Sequence, residues 1–194
     1  VYYEKFDNQE YFSTQEFHND REAADHWNEP GHRPRMELTV SWANEILRDD
    51  PEYTVIDYGS GSGGVISAIE TERKIGYDFC PDNVKFAQDR GRNVIFKDFV
   101  ADDNEYSDIA IITECLEHLA DPLEFLRTLR ARYLIMSMPV GETNEHHYEF
   151  HTHGADEDGV KYLMLYKTEW KPLKHQNLWG TQIWLAEKMD EYDG

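Results

Sequence analysis

The run VIDYGSGSGG at 55–64 constrains this chain more than any other stretch. Tyr53, Val55, Ile56 and Tyr58 favour extended backbone, glycines at 59, 61, 63 and 64 break it, and the apolar residues of 65–69 follow with helical spacing. A strand that empties through glycines into a helix brings bare backbone N–H groups to a helix N-terminus, where a ligand can lie directly against them. Any fold for this chain has to accommodate that strand, turn and helix as one unit.

The rest of the chain repeats the alternation. A helical spacing of Met36, Val40, Ala43, Ile46 and Leu47 begins at Pro34 and ends at Asp50-Pro51. Strands are expected at 53–58, 74–78, 93–96, 108–113 and 133–138. Between them, Pro81 opens a helix that Gly91 closes, and Asp121-Pro122 caps another that turns Leu123, Leu126 and Leu129 inward. Strands alternating with helices predict a mainly parallel sheet covered on both faces. After Pro139 the rhythm changes to a His-rich loop at 139–155, a helix near 160–166, and strands at 170–173 and 181–186 around a turn at 177–180. The expectation is one domain over 1–194, with an N-terminal cap or arm (1–33), a cofactor-binding core (34–139) and an acceptor loop with a C-terminal helix and hairpin (140–194).

Composition narrows the partners. Nineteen Lys and Arg against 39 Asp and Glu leave a net charge of −20, which repels phosphate and disfavours a sequence-independent grip on nucleic acid. Arg127, Arg130 and Arg132 lie on a helix whose simplest reading is a solvated face. The 12 Tyr, 9 Phe and 5 Trp argue for a packed core despite the charge. Cys80 and Cys115 are the only cysteines, too few for a disulfide framework, and suit a reducing compartment. With no apolar run long enough to span a bilayer and no leader pattern, the chain reads as soluble and cytoplasmic, with no membrane partner. Nothing in it specifies an oligomeric state.

The glycine run satisfies two cofactor patterns. Gly59-x-Gly61-x-x-Gly64 is a dinucleotide signature, and Asp57-x-Gly59-x-Gly61-x-Gly63 is another. Both want an acidic residue at the end of the second strand to accept hydrogen bonds from ribose hydroxyls. Asp78 stands there, 21 residues beyond Asp57.

The second half separates the two patterns. VIDYGSGSGG (55–64), IGYDFCPDNVKFA (75–87), VIFKDF (94–99), IITECLEHLADPLEFL (111–126) and YLIMSMP (133–139) follow one another in the motif order of the class I S-adenosylmethionine-dependent methyltransferases. The chain resembles in particular their small stand-alone branch, which includes the ubiquinone-pathway O-methyltransferases. The block ECLEHLADP (114–122) is the most specific carrier. The resemblance implies a Rossmann-like seven-stranded sheet, mainly parallel with an antiparallel last strand and helices on both faces. It implies S-adenosylmethionine as cofactor and methyl transfer to a small-molecule acceptor, at oxygen.

By the same resemblance, Gly59, Gly61 and Gly63 approach the methionine part of the cofactor, with Asp57 steadying their loop. Asp78 takes the ribose, with Phe79 against the adenine. Asp98 accepts from the adenine amino group, with Phe99 beside it, and Glu114 lies near the methionine. Arg35, or in its place Arg33, pairs with the cofactor carboxylate. The Gly-Gly that such proteins usually carry before strand five is absent here, where LRARY (129–133) makes a shorter connection.

For a hydroxyl acceptor, His118 is the candidate general base, because its ordinary pKa lies near neutrality. Glu114, Glu117 and His118, with His146, His147, His151 or His153 from the loop, could instead bind a divalent ion. That arrangement would fit metal-assisted 2′-O-methylation of a nucleic-acid end. A NAD-dependent oxidoreductase and a non-catalytic cofactor-binding protein also stay open. Trp27, His32 and the N-terminal tyrosines are candidates to cap the pocket.

Overall fold

The computed structural model describes residues 25–119, 121–140 and 157–189. Seven strands form one sheet in the order β3-β2-β1-β4-β5-β7-β6. They are β1 (Val55–Tyr58), β2 (Lys74–Asp78), β3 (Val94–Phe96), β4 (Ser107–Thr113), β5 (Ala131–Pro139), β6 (Trp170–Leu178) and β7 (Thr181–Lys188). Pairings among β1 to β5 are parallel, and β7 runs antiparallel to both β5 and β6. The expected sheet is therefore present, and the strand order reverses between β1 and β4, the place where open α/β sheets bind ligands.

Alternation along the strands explains why both faces are covered. Ile56, Tyr58, Ala110, Ile112, Leu134 and Met136 enter one apolar cluster, and Val55, Ile109, Ile111 and Ile135 enter another. Successive side chains point to opposite faces, so a strand apolar at every position is buried on both. Helices α1 (Arg33–Asp49), α2 (Gly64–Ala68) and α3 (Pro81–Gln88) supply the second cluster with Trp42, Ile46, Ile66 and Val84. Helix α4 (Pro122–Thr128) supplies the first with Phe125 and Leu126. The indole N–H of Trp170, fully buried, donates to the Leu126 carbonyl at 2.9 Å and ties the hairpin to α4.

The punctuation residues act as expected. Asp121 caps α4 by accepting from the Glu124 N–H at 2.9 Å, with Pro122 at the first helical position. Gly91, at φ +70°, turns the chain after α3.

Several boundaries differ. Strand β5 begins at Ala131, two residues early, so Arg132 stands in the sheet and Arg130 in the connection before it, and only Arg127 lies on a helix. Strand β1 begins at Val55, not Tyr53, because the backbone N–H and hydroxyl of Thr54 both donate to the Asp108 carboxylate at 2.8 Å. The segment near 160–166 is a wide π-type turn, Val160–Leu165, followed by a 3-10 turn, Tyr166–Thr168. Strand β6 runs five residues beyond the expected 170–173 and closes on the two-residue turn Trp179-Gly180, with φ +42° and +90°. Most of its exposed positions are polar and it is irregular between Pro172 and Lys174, so no clean period two marks it as a strand.

Candidate functional site

The carboxyl ends of β1, β2, β4 and β5 define the site. Where β1 ends, Gly59, Gly61 and Gly63 take φ of +69°, +53° and +74°, the left-handed region that glycine alone enters without strain. The first and third are glycine for a second reason. A Cβ on Gly59 would lie 2.6 Å from Cys115 Sγ, and one on Gly63 would lie 2.8 Å from Val94 Cγ2. A Cβ on Gly61 would meet nothing within 4 Å. The middle of the loop therefore faces open space, as a backbone cradle for a ligand requires.

Two buried carboxylates hold that loop. Asp57 is 2% exposed and accepts from the Ser60 hydroxyl at 2.9 Å. Burial raises its pKa to about 7, and the neighbouring Asp78 charge adds to the rise, while the Ser60 bond and the field of Arg35 oppose it. Asp78, 6% exposed, accepts from the Gly61 N–H at 2.7 Å through one oxygen. Its other oxygen accepts from the Cys80 N–H at 2.8 Å and stands 3.4 Å from Asn83 Nδ2. The acidic residue at the end of β2 thus reaches across to the glycine loop. Gly76 makes this register possible, since a Cβ there would strike Ser60 Oγ at 2.4 Å.

Glu114 forms the opposite wall. It leaves β4 at φ +50°, a conformation that costs a side-chain-bearing residue about 1–2 kcal/mol. Its carboxylate accepts from the Ser137 hydroxyl at 2.8 Å, and Arg35 Nη1 stands 3.5 Å from the same hydroxyl oxygen. Burial raises the Glu114 pKa, opposed by the Arg35 charge and by hydrogen bonds from Ser137 and Thr181. Arg35 belongs to the first turn of α1 and does not precede it. Arg33 points elsewhere, pairing with Glu37 at 2.7 Å on the surface. Of the two arginines, Arg35 faces the site.

The remaining expected residues are placed unequally. Phe79 is partly exposed, and its ring centroid lies 5.9 Å from that of Phe99. Phe99 itself is fully buried, edge-on to Tyr58 and Phe125 at 5.6 and 5.8 Å, and supports Phe79 from below. Asp98 follows β3, with Oδ1 accepting from the N–H groups of Val100 and Ala101. Glu117 is buried in the 3-10 turn Leu116–His118, whose last residue is His118. His146, His147, His151 and His153 lie outside the described residues.

Several participants carry no motif of their own. Trp27 packs over the start of α2, where a Cβ on Gly64 would lie 3.0 Å from Trp27 Cβ. Arg92 donates to both Asp25 oxygens, at 3.1 and 3.0 Å, and to the Ser62 carbonyl at 2.7 Å. That clasp holds the segment before α1 against the glycine loop, and the Arg92 bonds lower the Asp25 pKa. Ser60, Ser137 and Arg92 are single common residues, legible only once the strands are aligned. Among the described residues, no helix is long and apolar enough to cross a membrane.

A family model described as a methyltransferase domain matches residues 17–178. No curated protein matches in sequence. Solved structures with the same fold include magnesium protoporphyrin IX methyltransferase from Synechocystis PCC 6803 with bound S-adenosylmethionine. It is 17% identical with a TM-score of 0.68, over 94% of this chain and 98% of that one. The 16S rRNA methyltransferase RmtF in complex with S-adenosyl-L-homocysteine is 16% identical with a TM-score of 0.57, over 94% and 76%. The [4+2]-cyclase SpnF is 14% identical with a TM-score of 0.61, over 84% and 85%.

Proposed function

The chain belongs to the methyltransferase-domain family, and on that premise we propose that it transfers the methyl group of S-adenosylmethionine to the oxygen of a small-molecule acceptor. The observation that carries the cofactor assignment is the buried Asp78 carboxylate bound to the Gly61 N–H at 2.7 Å, beside a loop whose middle faces open space. In this reading Asp78 takes the ribose hydroxyls, with Phe79 for the adenine and Asp98 for its amino group. Arg35 supplies the positive charge for the cofactor carboxylate, and Glu114 lines the methionine end. Asp57 acts through Ser60, keeping the loop in shape.

The bound cofactor supplies an activated methyl group on a sulfonium, so the protein's task is chiefly to hold an acceptor close and aligned. His118, in the 3-10 turn that follows β4, is the proposed base for an acceptor hydroxyl. The N-terminal arm and the 139–155 loop are proposed as the acceptor side, and the ubiquinone-pathway O-methyltransferases are the model for the acceptor class. The net charge of −20 favours a small molecule over RNA. Cys80 and Cys115, both buried thiols, fit a cytoplasmic setting.

Calorimetry with S-adenosylhomocysteine and NAD tests the cofactor. Binding of the first and not the second is expected, and the reverse would overturn the assignment. A methyl-transfer screen of phenolic and other hydroxyl acceptors, against RNA, tests the rest. His118→Ala should lower kcat about 100-fold or more with unchanged S-adenosylhomocysteine affinity. Undiminished kcat would remove the base role.

A further inference from the structure

Just before α1, the chain makes successive tight turns. The Glu29 N–H donates to the His26 carbonyl, and the His32 N–H donates to the Glu29 carbonyl, both at 3.1 Å. Bonds of this i+3 kind bring residues three apart onto one side of the backbone. The spacing H-x-x-E-x-x-H therefore stacks His26, Glu29 and His32 together. Their ligand atoms all lie within 4.8 Å of one another.

Two of the three ligand-atom separations match the edge of a zinc tetrahedron. His26 Nδ1 and His32 Nε2 each stand 3.3 Å from the same oxygen, Glu29 Oε2. A charged N–H···O bond would draw them to about 2.7–2.9 Å. Ligands at 2.0–2.1 Å around a tetrahedral zinc ion are separated by roughly 3.3 Å, the edge of that tetrahedron. His26 Nδ1 is also shut off from solvent with no hydrogen-bond partner among the described residues. The two rings are tilted at 58° with centroids 4.9 Å apart, so they converge without stacking flat.

We propose that His26, Glu29 and His32 form a site for a divalent ion of the zinc class, with a fourth position open to water. Two imidazoles and one carboxylate suit zinc, and the borderline ions cobalt and nickel, over magnesium or calcium. The ion would staple the turn carrying Trp27, which covers Gly64, to the start of the helix carrying Arg35. It uses none of Glu114, Glu117 and His118, and the inference does not depend on the acceptor or on the transfer reaction.

The full chain, stripped with chelator, is titrated with Co²⁺ followed by visible absorption and with Zn²⁺ followed by calorimetry. One equivalent with a tetrahedral cobalt spectrum is expected. It should persist when His146, His147, His151 and His153 are all replaced by Gln. Changing an outer-sphere partner weakens metal sites by about 10–100-fold. Glu29→Gln and His32→Gln, which remove ligands, should therefore weaken binding by at least ~100-fold. Circular dichroism of each variant checks that it remains folded, and both residues lie toward the surface. Zn²⁺ should raise the thermal midpoint of the parent chain and not of Glu29→Gln. Absence of a stoichiometric site would overturn the proposal, as would loss of it in the loop variant with retention in Glu29→Gln.

Discussion

Asp57 offers a direct test of how the site is built. Its carboxyl titrates near 7 in the folded chain and near 3.8 when free of its surroundings, because burial disfavours the charged form. A pKa raised on folding means that the native state binds the proton more tightly than the unfolded chain. Its contribution is therefore fully present below pH 3.8 and is lost as pH rises toward 7. At ~1.4 kcal/mol per pH unit, the whole interval corresponds to about 4 kcal/mol. Between pH 5.5 and 7.5, well above the sequence pI of about 4.7, the loss is roughly 2 kcal/mol. Asp57→Asn keeps an acceptor for the Ser60 hydroxyl and abolishes the titration. Glu114 and other shifted groups are common to both chains and cancel in the difference. Urea unfolding across that range should show the variant gaining roughly 2 kcal/mol on the parent as pH rises. With a urea m-value of about 2 kcal/mol/M, that is a relative shift of about 1 M in midpoint. Parallel profiles, within about 0.5 kcal/mol, would refute the reasoning: Asp57 would then be ionised throughout, and its burial would be offset by neighbours other than those identified.

The glycines should separate by position. Gly59→Ala combines φ +69° with a contact of 2.6 Å to Cys115 Sγ, and should destabilise by about 1–3 kcal/mol, with partial recovery when Cys115→Ala is added. Gly61→Ala has open space around it and should lose only about 1–2 kcal/mol from backbone strain, yet weaken S-adenosylhomocysteine binding in calorimetry. Asp78→Ala leaves the Gly61 and Cys80 N–H groups without their carboxylate and should lower that affinity at least ~10-fold. Unchanged affinity there would detach the end of β2 from the cofactor.

The core of the fold was legible because its signals are local. The apolar residues Val55, Ile56 and Tyr58 and the apolar runs at 109–112 and 134–136 mark strands buried on both faces, and Pro81, Gly91 and Asp121-Pro122 punctuate the helices between them. The hairpin was read short because β6 lies at the sheet edge, where Lys171, Lys174, Gln176 and Asn177 carry no core-facing period. Within the site, Asp57, Asp78 and Glu114 announce themselves by sitting at strand ends. Ser137 and Arg92 do not, since their partners are 23 and 30 residues away and only the sheet register brings them together. The spacing of His26, Glu29 and His32 carries no signal of its own in the sequence. A three-residue repeat selects one face only if the backbone turns at three residues per turn, and nothing local in HWNEPGH demands that.

The unfavourable features of this fold are not scattered. A carboxyl buried so deeply that its pKa rises to about 7, a glutamate held at φ +50° and three left-handed glycines all stand along the strand ends of β1 and β4. Packing alone does not call for them. Ile111, the register partner of Asp57 on β4, is fully buried with no polar group at all, and an apolar residue at position 57 would bury as readily beside it. The two apolar clusters, with the Trp170 bond to α4, supply the stability that offsets this concentration of strain. A fold that gathers its costs along one rim, at the point where its strand order reverses, is expected to hold its ligand there. The bonds from Ser60 to Asp57 and from Gly61 to Asp78 are then the means by which a glycine-rich loop, flexible by composition, is held in one shape before that ligand arrives.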